Sequence, residues 1–303
     1  MLKNLAESIR LQIGDHALNQ EAITELALAT FFAGGHILLS GPTGLGKTRW
    51  ARAFAGALGV SYGCARFFEN TLPQDFFSTI IFDRESQQHK SQPGTFFSQV
   101  FQADEIDNTN AWMHTFIMDA MDKQKQSLTF GGESFPLPEP HFIIASCNDT
   151  HNLPKPLADR FMMKLYINYP GIAAEKQILQ MHHIGATSET EPSPVCTPES
   201  IAQAKQEVQA VSVEDAIFNY IVSITETTRR ASAIQTGAST RASISLLQAA
   251  KAFAAINGRD YVTANDVRNL AIPVLRHRII LRPDAVKEGI QPDRIIESII
   301  VGK

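Results

Sequence analysis

A parallel α/β sandwich followed by a smaller all-helical domain is the architecture that this 303-residue sequence predicts. Three features carry the prediction. A glycine-rich loop at 41–48 lies between a short apolar run and an amphipathic stretch. Further short apolar runs recur as far as residue 167. From 171 onward only helical periodicity remains. The first domain is expected over 1–170 and the second over 171–303, with the hydrophilic stretch 185–194 as the flexible connection.

Residues 1–33 read as two helices. Ile9 and Ile13, then Ile23, Leu26, Ala27 and Thr30, make an apolar face, and Gly14-Asp15 marks the break. A buried strand is expected at 36–40. A helix follows at 48–58, where Trp50, Phe54 and Leu58 recur at i, i+4 and Gly59 stops the run. Between strand and helix stand Gly41, Pro42, Thr43, Gly44, Leu45, Gly46, Lys47 and Thr48, the spelling G-x-x-x-x-G-K-[ST] of a phosphate-binding loop. Its glycines let the backbone curl until its N–H groups converge on phosphate oxygens. Lys47 supplies a point charge for the outer phosphates and Thr48 a hydroxyl for Mg²⁺. The helix start adds its own positive end. A chance glycine turn would lack this setting, so the loop predicts binding of a nucleoside triphosphate.

A second strand is expected at 65–68. The stretch 72–99, with Pro73, polar residues over 83–90 and Pro93-Gly94, reads as a helix interrupted by a hairpin. A strand at 98–103 leads into Asp104-Glu105, although Gln99 and Gln102 interrupt its apolar run. A helix is expected at 110–123, with Trp112, Phe116 and Ala120 on one face and Met113, Ile117 and Met121 beside them. Gly131-Gly132, with Leu128 and Phe130 before and Phe135 and Leu137 after, marks a hairpin over 126–140. Strands at 142–145, ending at Asn148, and at 163–167 complete the sheet. Past Tyr169-Pro170, Thr197-Pro198 reads as a helix cap with Pro in the first helical position. Ser212 with Asp215, and Thr263 with Asp266, read as capping boxes.

Composition narrows the function. With 44% hydrophobic and 19% charged residues the chain can bury a sizeable core. A net charge of −4 gives no global signature of nucleic-acid or membrane binding. The longest apolar run, 26–39, holds Gly34, Gly35 and His36 and falls short of the ~20 residues of a membrane span. The N-terminus has no basic-then-apolar leader pattern. Cys64, Cys147 and Cys196 form neither a disulfide framework nor a metal spacing, and a reducing, cytoplasmic setting is expected. His182-His183 are adjacent on a helix, diverge, and make poor co-ligands. Cys147 reads as a small core residue, since no histidine is placed beside it.

Asp104 and Glu105 carry the hydrolysis reading. At the end of a strand near the loop, Asp104 can hold the Mg²⁺ shell through water, and Glu105 can polarise the attacking water. In a surface turn the same pair would do neither. The two residues alone leave both readings open, and their place in the chain favours the first.

Several blocks are similar to those of the MoxR branch of the AAA+ ATPases. They are Gly34-Gly35-His36-Ile37-Leu38-Leu39, Asp104-Glu105-Ile106, Leu137-Pro138-Glu139-Pro140, Ala158-Asp159-Arg160-Phe161 and Tyr169-Pro170. Later come Gly237-Ala238-Ser239-Thr240-Arg241-Ala242, Gly258-Arg259-Asp260-Tyr261-Val262 and Val274-Leu275-Arg276-His277-Arg278. Their order and spacing run nearly end to end. The resemblance implies an AAA+ αβα domain of the P-loop NTPase type, a helical lid, and hydrolysis of Mg·ATP. It also implies that Asn148 senses the γ-phosphate. Arg160 matches the arginine finger, offered to a neighbouring subunit, and Arg241 matches the lid's sensor arginine, acting within its own chain or on the next. Read alone, Asn148 is a turn former and Arg160 a surface ion-pair residue. Arg241 alone is a cation near a helix N-terminus, where it is electrostatically disfavoured.

By the same resemblance, 72–99 corresponds to a helix-2 insert and 126–140 to the hairpin before the sensor strand, both directed toward a ring's central pore. The chain departs from the family at Asp107-Asn108, where Asn-Arg is usual, and at Asp149, where proline is favoured. The implied partners are further copies in a ring, a hexamer by analogy, and a protein with a von Willebrand factor A domain, in maturation or assembly of protein complexes. Two other readings stay open. One is a motor acting on nucleic acid, supported by Lys123 and Lys125. The acidic balance and the hairpin tip Phe130-Gly131-Gly132-Glu133, which has no basic residue, count against it. The other is a scaffold that binds ATP with little turnover.

Overall fold

The computed structural model describes residues 1–14, 20–72, 76–83, 88–130, 132–148, 153–183 and 192–302. Expectations resting on Asp15, Pro73, Gly131 and Asp149, and most of the proposed connection at 185–194, lie outside them. Two helices open the chain, α1 (Leu2–Gly14) and α2 (Glu21–Phe32). β1 (Ile37–Ser40) and α3 (Lys47–Leu58) flank the glycine loop, and Gly59 ends α3 in a left-handed cap. β2 (Tyr62–Arg66), β5 (Val100–Asp104), β8 (Phe142–Cys147) and β9 (Met163–Tyr166) join β1 in one parallel sheet of order β2-β5-β8-β1-β9.

Both faces of the sheet are covered, which is why its strands read as apolar runs rather than alternating ones. Leu38, Phe101, Ala103, Ile143 and Ala145 point to one side, into a core with Phe67, Phe77, Phe96, Met113, Ile117 and Phe161. Ile37, Leu39, Val100, Phe142 and Ile144 point to the other. There the core continues without a break through α1, α2 and α3 into the C-terminal helices.

Two hairpins extend from the sheet, β3 (Ser78–Asp83) with β4 (Gln88–Pro93) and β6 (Ser127–Phe130) with β7 (Glu133–Pro136). The second is as expected. The first corrects the reading of 72–99: among the described residues it holds a hairpin and a single 3₁₀ turn, Thr95–Phe97, and no α-helix. β2 also begins three residues earlier than expected, because Gly63 rather than the Phe67-Phe68 pair sits in the sheet. A Cβ at Gly63 would lie 2.1 Å from the carbonyl oxygen of Thr95, so a residue outside the strand-forming alphabet is required there. On α4 (Ala111–Ala120), capped by Asn110, the buried stripe is Met113 and Ile117, while Trp112 is exposed.

After α5 (Lys155–Ala158) and α6 (Ile172–His183) the chain runs through α7 (Pro198–Ala210), α8 (Asp215–Arg230), α9 (Thr240–Ile256), α10 (Ala264–Leu275), α11 (Pro283–Lys287) and α12 (Pro292–Val301). The expectation of helices only needs correction. β10 (Ile234–Thr236) and β11 (Ile280–Leu281) pair antiparallel and close the lid region across α9 and α10. Thr197 and Thr263 cap as expected, but Ser212 does not. Its N–H and hydroxyl both donate to the carbonyl of Asp260, and α8 starts at Asp215 without a side-chain cap. The alanine-rich α9 packs closely on α2 and α10, with Ala249, Ala250, Ala252 and Ala254 fully buried. The described residues contain no helix long and apolar enough to cross a membrane.

Candidate functional site

The loop is built by β1 ending and α3 beginning on either side of a backbone that glycine alone tolerates at two points. At Gly41 a Cβ would stand 2.3 Å from the carbonyl oxygen of Ile167, the residue after β9. Gly46 precedes α3 with φ 78°, a left-handed conformation that a side chain would strain. Lys47 is buried at the turn, its Nζ donating to the carbonyls of Gly41 at 2.7 Å and Pro42 at 3.4 Å. The helix behind the loop is locked by Trp50, whose indole N–H donates to Thr24 Oγ1 of α2 at 3.0 Å.

Asp104 ends β5, two strands from β1 with β8 between them. Its carboxylate nevertheless meets the loop, because Thr48 Oγ1 donates to Oδ2 at 3.3 Å. The other oxygen accepts from Ser146 Oγ at 2.6 Å and from Gln102 Nε2 at 3.0 Å. Gln102 also donates to Thr48 Oγ1 at 3.1 Å and accepts from the Tyr62 hydroxyl at 2.6 Å. Burial of the Tyr62 phenol raises its pKa above the usual value, so it remains a donor. Glu105 follows with φ 57°, the one described residue other than glycine in the left-handed region. Its backbone N–H donates to Ser146 Oγ at 3.1 Å. Its side chain accepts from Arg66 at 2.6 Å and from Asn108 at 3.2 Å.

The thiol of Cys147 is pushed up to about 11 by burial, in keeping with a small core residue. Ser40 pairs with Cys147 in register, so Asn148 is level with Gly41 at the same end of the sheet. Asn148 is exposed, and its N–H donates to Asp107 Oδ2 at 3.2 Å. The loop, Asp104, Glu105 and Asn148 therefore share one edge.

Arg160 and Arg241 lie elsewhere. Ile37 pairs with Met163 and Ser40 with Tyr166, so Arg160, just before β9, stands at the edge where the strands begin. Four residues at ~3.3 Å each set ~13 Å of strand between that edge and the loop. Arg160 is 26% exposed and its guanidinium lies 3.7 Å from Asp122 Oδ2. Arg241, second residue of α9, donates to Asp159 Oδ2 at 2.8 Å, which offsets its place at a helix N-terminus. Arg241 thus meets the residue that precedes Arg160, and both arginines stand away from their own loop.

Three residues of the loop edge escape a reading of the sequence. Gln102 registered only as a polar interruption of a strand. Ser146 lay inside an apolar run, and Arg66 stood just before an aromatic pair. A polar residue forced into a buried parallel strand two positions before Asp-Glu was the available signal. For Mg²⁺ the donor set fits. Thr48 Oγ1 and Asp104 Oδ2 are hard oxygens 3.3 Å apart beside the loop. His182-His183 end α6, and among the described residues no group of three or more His, Cys, Asp and Glu could hold a metal ion.

Strand, phosphate loop and helix in a five-stranded parallel sheet, with a helical lid, define an ATPase of the AAA+ class. Residues 36–163 match the ATPase family associated with various cellular activities (AAA), and 226–299 match the AAA lid domain. The chain is 35% identical to the uncharacterized protein YeaC of Bacillus subtilis over 283 residues, covering 92% of this chain and 88% of that protein. It is 28% identical to Chaperone MoxR1 of Mycobacterium tuberculosis over 298 residues, covering 93% of this chain and 78% of that one. A crystal structure of a candidate ATPase from Cytophaga hutchinsonii, 29% identical, superposes with a TM-score of 0.90 over 99% of this chain and 94% of that chain. The chain belongs to the MoxR family of AAA+ ATPases.

Proposed function

We propose that this chaperone-like ATPase works as a ring, a hexamer by family analogy, in which each nucleotide site is completed by the neighbouring subunit. One observation carries the reading: Arg160 stands at the sheet edge opposite the phosphate loop, and Arg241 is bonded to Asp159, the residue before it. Neither can serve its own loop without crossing the strands. A neighbour stacked edge to edge would receive both.

In this reading residues 1–170 form the nucleotide domain and 171–303 the lid. The loop 41–48 holds the phosphates of ATP, with Lys47 turning from the Gly41 carbonyl toward the outer ones. Thr48 and, through water, Asp104 would hold Mg²⁺, which would supply positive charge against the developing negative charge of the triphosphate. Gln102 and Ser146 fix the Asp104 carboxylate for that duty. Glu105 accepts a proton from the attacking water once it exchanges Arg66 for that water. Asn148 orients the water against the γ-phosphate. Arg160 from the next subunit stabilises charge on the transferring phosphoryl group, and Arg241 supports it from the same side. The work is remodelling or maturation of a protein complex in the cytoplasm, with a von Willebrand factor A domain protein as partner.

A mixing experiment tests the shared site. Arg160→Ala is expected to cost about 10³-fold in turnover, the low end for arginine fingers, with ATP binding little changed. Lys47→Ala cannot hold ATP but still offers Arg160. Chains of the two kinds, each nearly inactive, should recover activity when mixed. Flat activity across the mixing series, with mixed assembly verified independently, would overturn the reading.

A further inference from the structure

Arg278 follows the C-terminal end of α10, in the lid, and only 1% of its side chain is exposed. Burial pulls its guanidinium down to about 10, so it remains charged at neutral pH. It spends that charge on one short turn of the nucleotide domain. Nε donates to Asp159 Oδ1 at 3.1 Å, and Nη2 to the carbonyls of Asp159 at 3.1 Å and Phe161 at 2.7 Å. Nη1 donates to the carbonyl of Met162 at 3.0 Å and to that of Val274 at 2.7 Å. The remaining bond, from Nη2, goes to Ser245 Oγ of α9 at 3.0 Å.

Every acceptor outside the lid lies within 159–162, the turn that carries Arg160. This turn follows the end of α5 and precedes β9, and the Phe161 carbonyl also accepts from His277 Nε2 at 2.9 Å. A planar fork of five N–H groups matches such a cluster, and an ammonium does not. The other oxygen of Asp159 accepts from Arg241 at 2.8 Å and from Ser239 Oγ at 3.4 Å. Arg241 is thereby joined to the Asp159–Arg278 ion pair, and Arg160 is the next residue of the same turn.

We propose that Arg278, acting through Asp159, is a positioning residue that sets Arg160 and Arg241 in the geometry in which a subunit offers both to its neighbour's nucleotide. This rests on the shared-site reading above. Arg278 touches no reacting atom. It ties the finger-bearing turn to α9 and α10, so any shift of the lid is carried to Arg160.

The test uses full-length Arg278→Lys, which keeps the charge and loses the fork. ATP binding is expected to stay within about twofold, because the loop lies at the other edge. Turnover should fall by about 10²-fold, the scale of a ~1 Å misplacement. Mixing with Lys47→Ala should restore activity as it does for Arg160→Ala, since the Lys47→Ala chain supplies a well-placed finger. The triple variant Arg160→Ala/Arg241→Ala/Arg278→Lys should be no slower than Arg160→Ala/Arg241→Ala, since Arg278 acts only through those two arginines.

Wild-type turnover in Arg278→Lys overturns the proposal. So does weakened ATP binding, or failure to recover on mixing while the Arg160→Ala pair recovers; either marks a structural role and leaves the shared site standing. If the Arg160→Ala pair itself fails to recover, the shared site falls and this inference with it. Should Arg278→Lys not fold, Asp159→Asn, which keeps the side chain's shape, is read by the same criteria.

Discussion

Arg66 holds Glu105: the guanidinium lies 2.6 Å from Oε1, while Asn108 engages Oε2 at 3.2 Å. Arg66 pairs in register with Asp104 across β2 and β5, which brings its side chain beside the next residue of the site. It also lies over the ring of Phe68, 5.5 Å from the centroid. A carboxylate bound at both oxygens has fewer lone-pair sites left for an attacking water to approach. Asn108 stands where the family resemblance implies an arginine, and Arg66 brings a positive charge to Glu105 from the neighbouring strand.

Removing Arg66 should release the base. In Arg66→Ala, turnover at saturating ATP is expected to rise about fivefold, the scale on which exposed ion pairs act. ATP affinity should not change. Steady-state hydrolysis with a parallel binding titration checks this, and unchanged or lower turnover would count against a restraining role.

Binding and chemistry should separate between two other residues. Lys47→Ala is expected to weaken ATP binding, because the triphosphate loses its charge partner. Glu105→Gln should bind ATP normally and hydrolyse it about 10²-fold more slowly or worse. Single-turnover measurements at saturating Mg·ATP distinguish the two. A Glu105→Gln chain with wild-type hydrolysis would remove Glu105 as base.

Much of this was legible because local rules and tertiary structure agree. The loop needs glycine where the backbone turns left-handed at Gly46 and where Ile167 crowds Gly41, and the sequence has it there. Doubly buried strands declare themselves as apolar runs, so β1, β8 and β9 fell within a residue or two of expectation. The misreadings are equally physical. β2 contains Gly63 and an exposed Cys64, chosen for close approach and not for β propensity. Ser212 lost its capping role to a long-range bridge with Tyr261, which no spacing rule anticipates. The arrangement of Arg66, Gln102 and Ser146 around Asp104-Glu105 depends on strand order, and periodicity is silent on order.

The lid carries its own test of stability. Asp266 is 3% exposed and takes both terminal nitrogens of Arg259 at 2.6 Å, together with the N–H and hydroxyl of Thr263. Burial alone would raise its pKa, but the bonds from Arg259 and Thr263 outweigh burial and leave it below the usual value. A lowered folded pKa means stability that is present above about pH 4 and lost as pH falls through the folded value. Asp266→Asn is therefore expected to cost about 3 kcal/mol at pH 7 and clearly less near pH 3. Urea unfolding at the two pH values measures it, and an equal loss at both would contradict the charge-based account.

Assembly should depend on nucleotide if ATP sits between subunits. The exposed part of Arg160 and more than half of the Arg241 side chain face outward at one edge. Among the described residues their acidic partners are Asp122 and Asp159. A triphosphate presented by a neighbour would be a far stronger partner for both. A ligand that contacts two chains favours the associated state by mass action, so Mg·ATP should shift the equilibrium toward the ring. Glu105→Gln is the chain to use, because it is expected to hold ATP without consuming it. Sedimentation at tens of micromolar should show a larger species with Mg·ATP than without. A chain that sediments as a monomer in both conditions would remove the nucleotide from the subunit boundary.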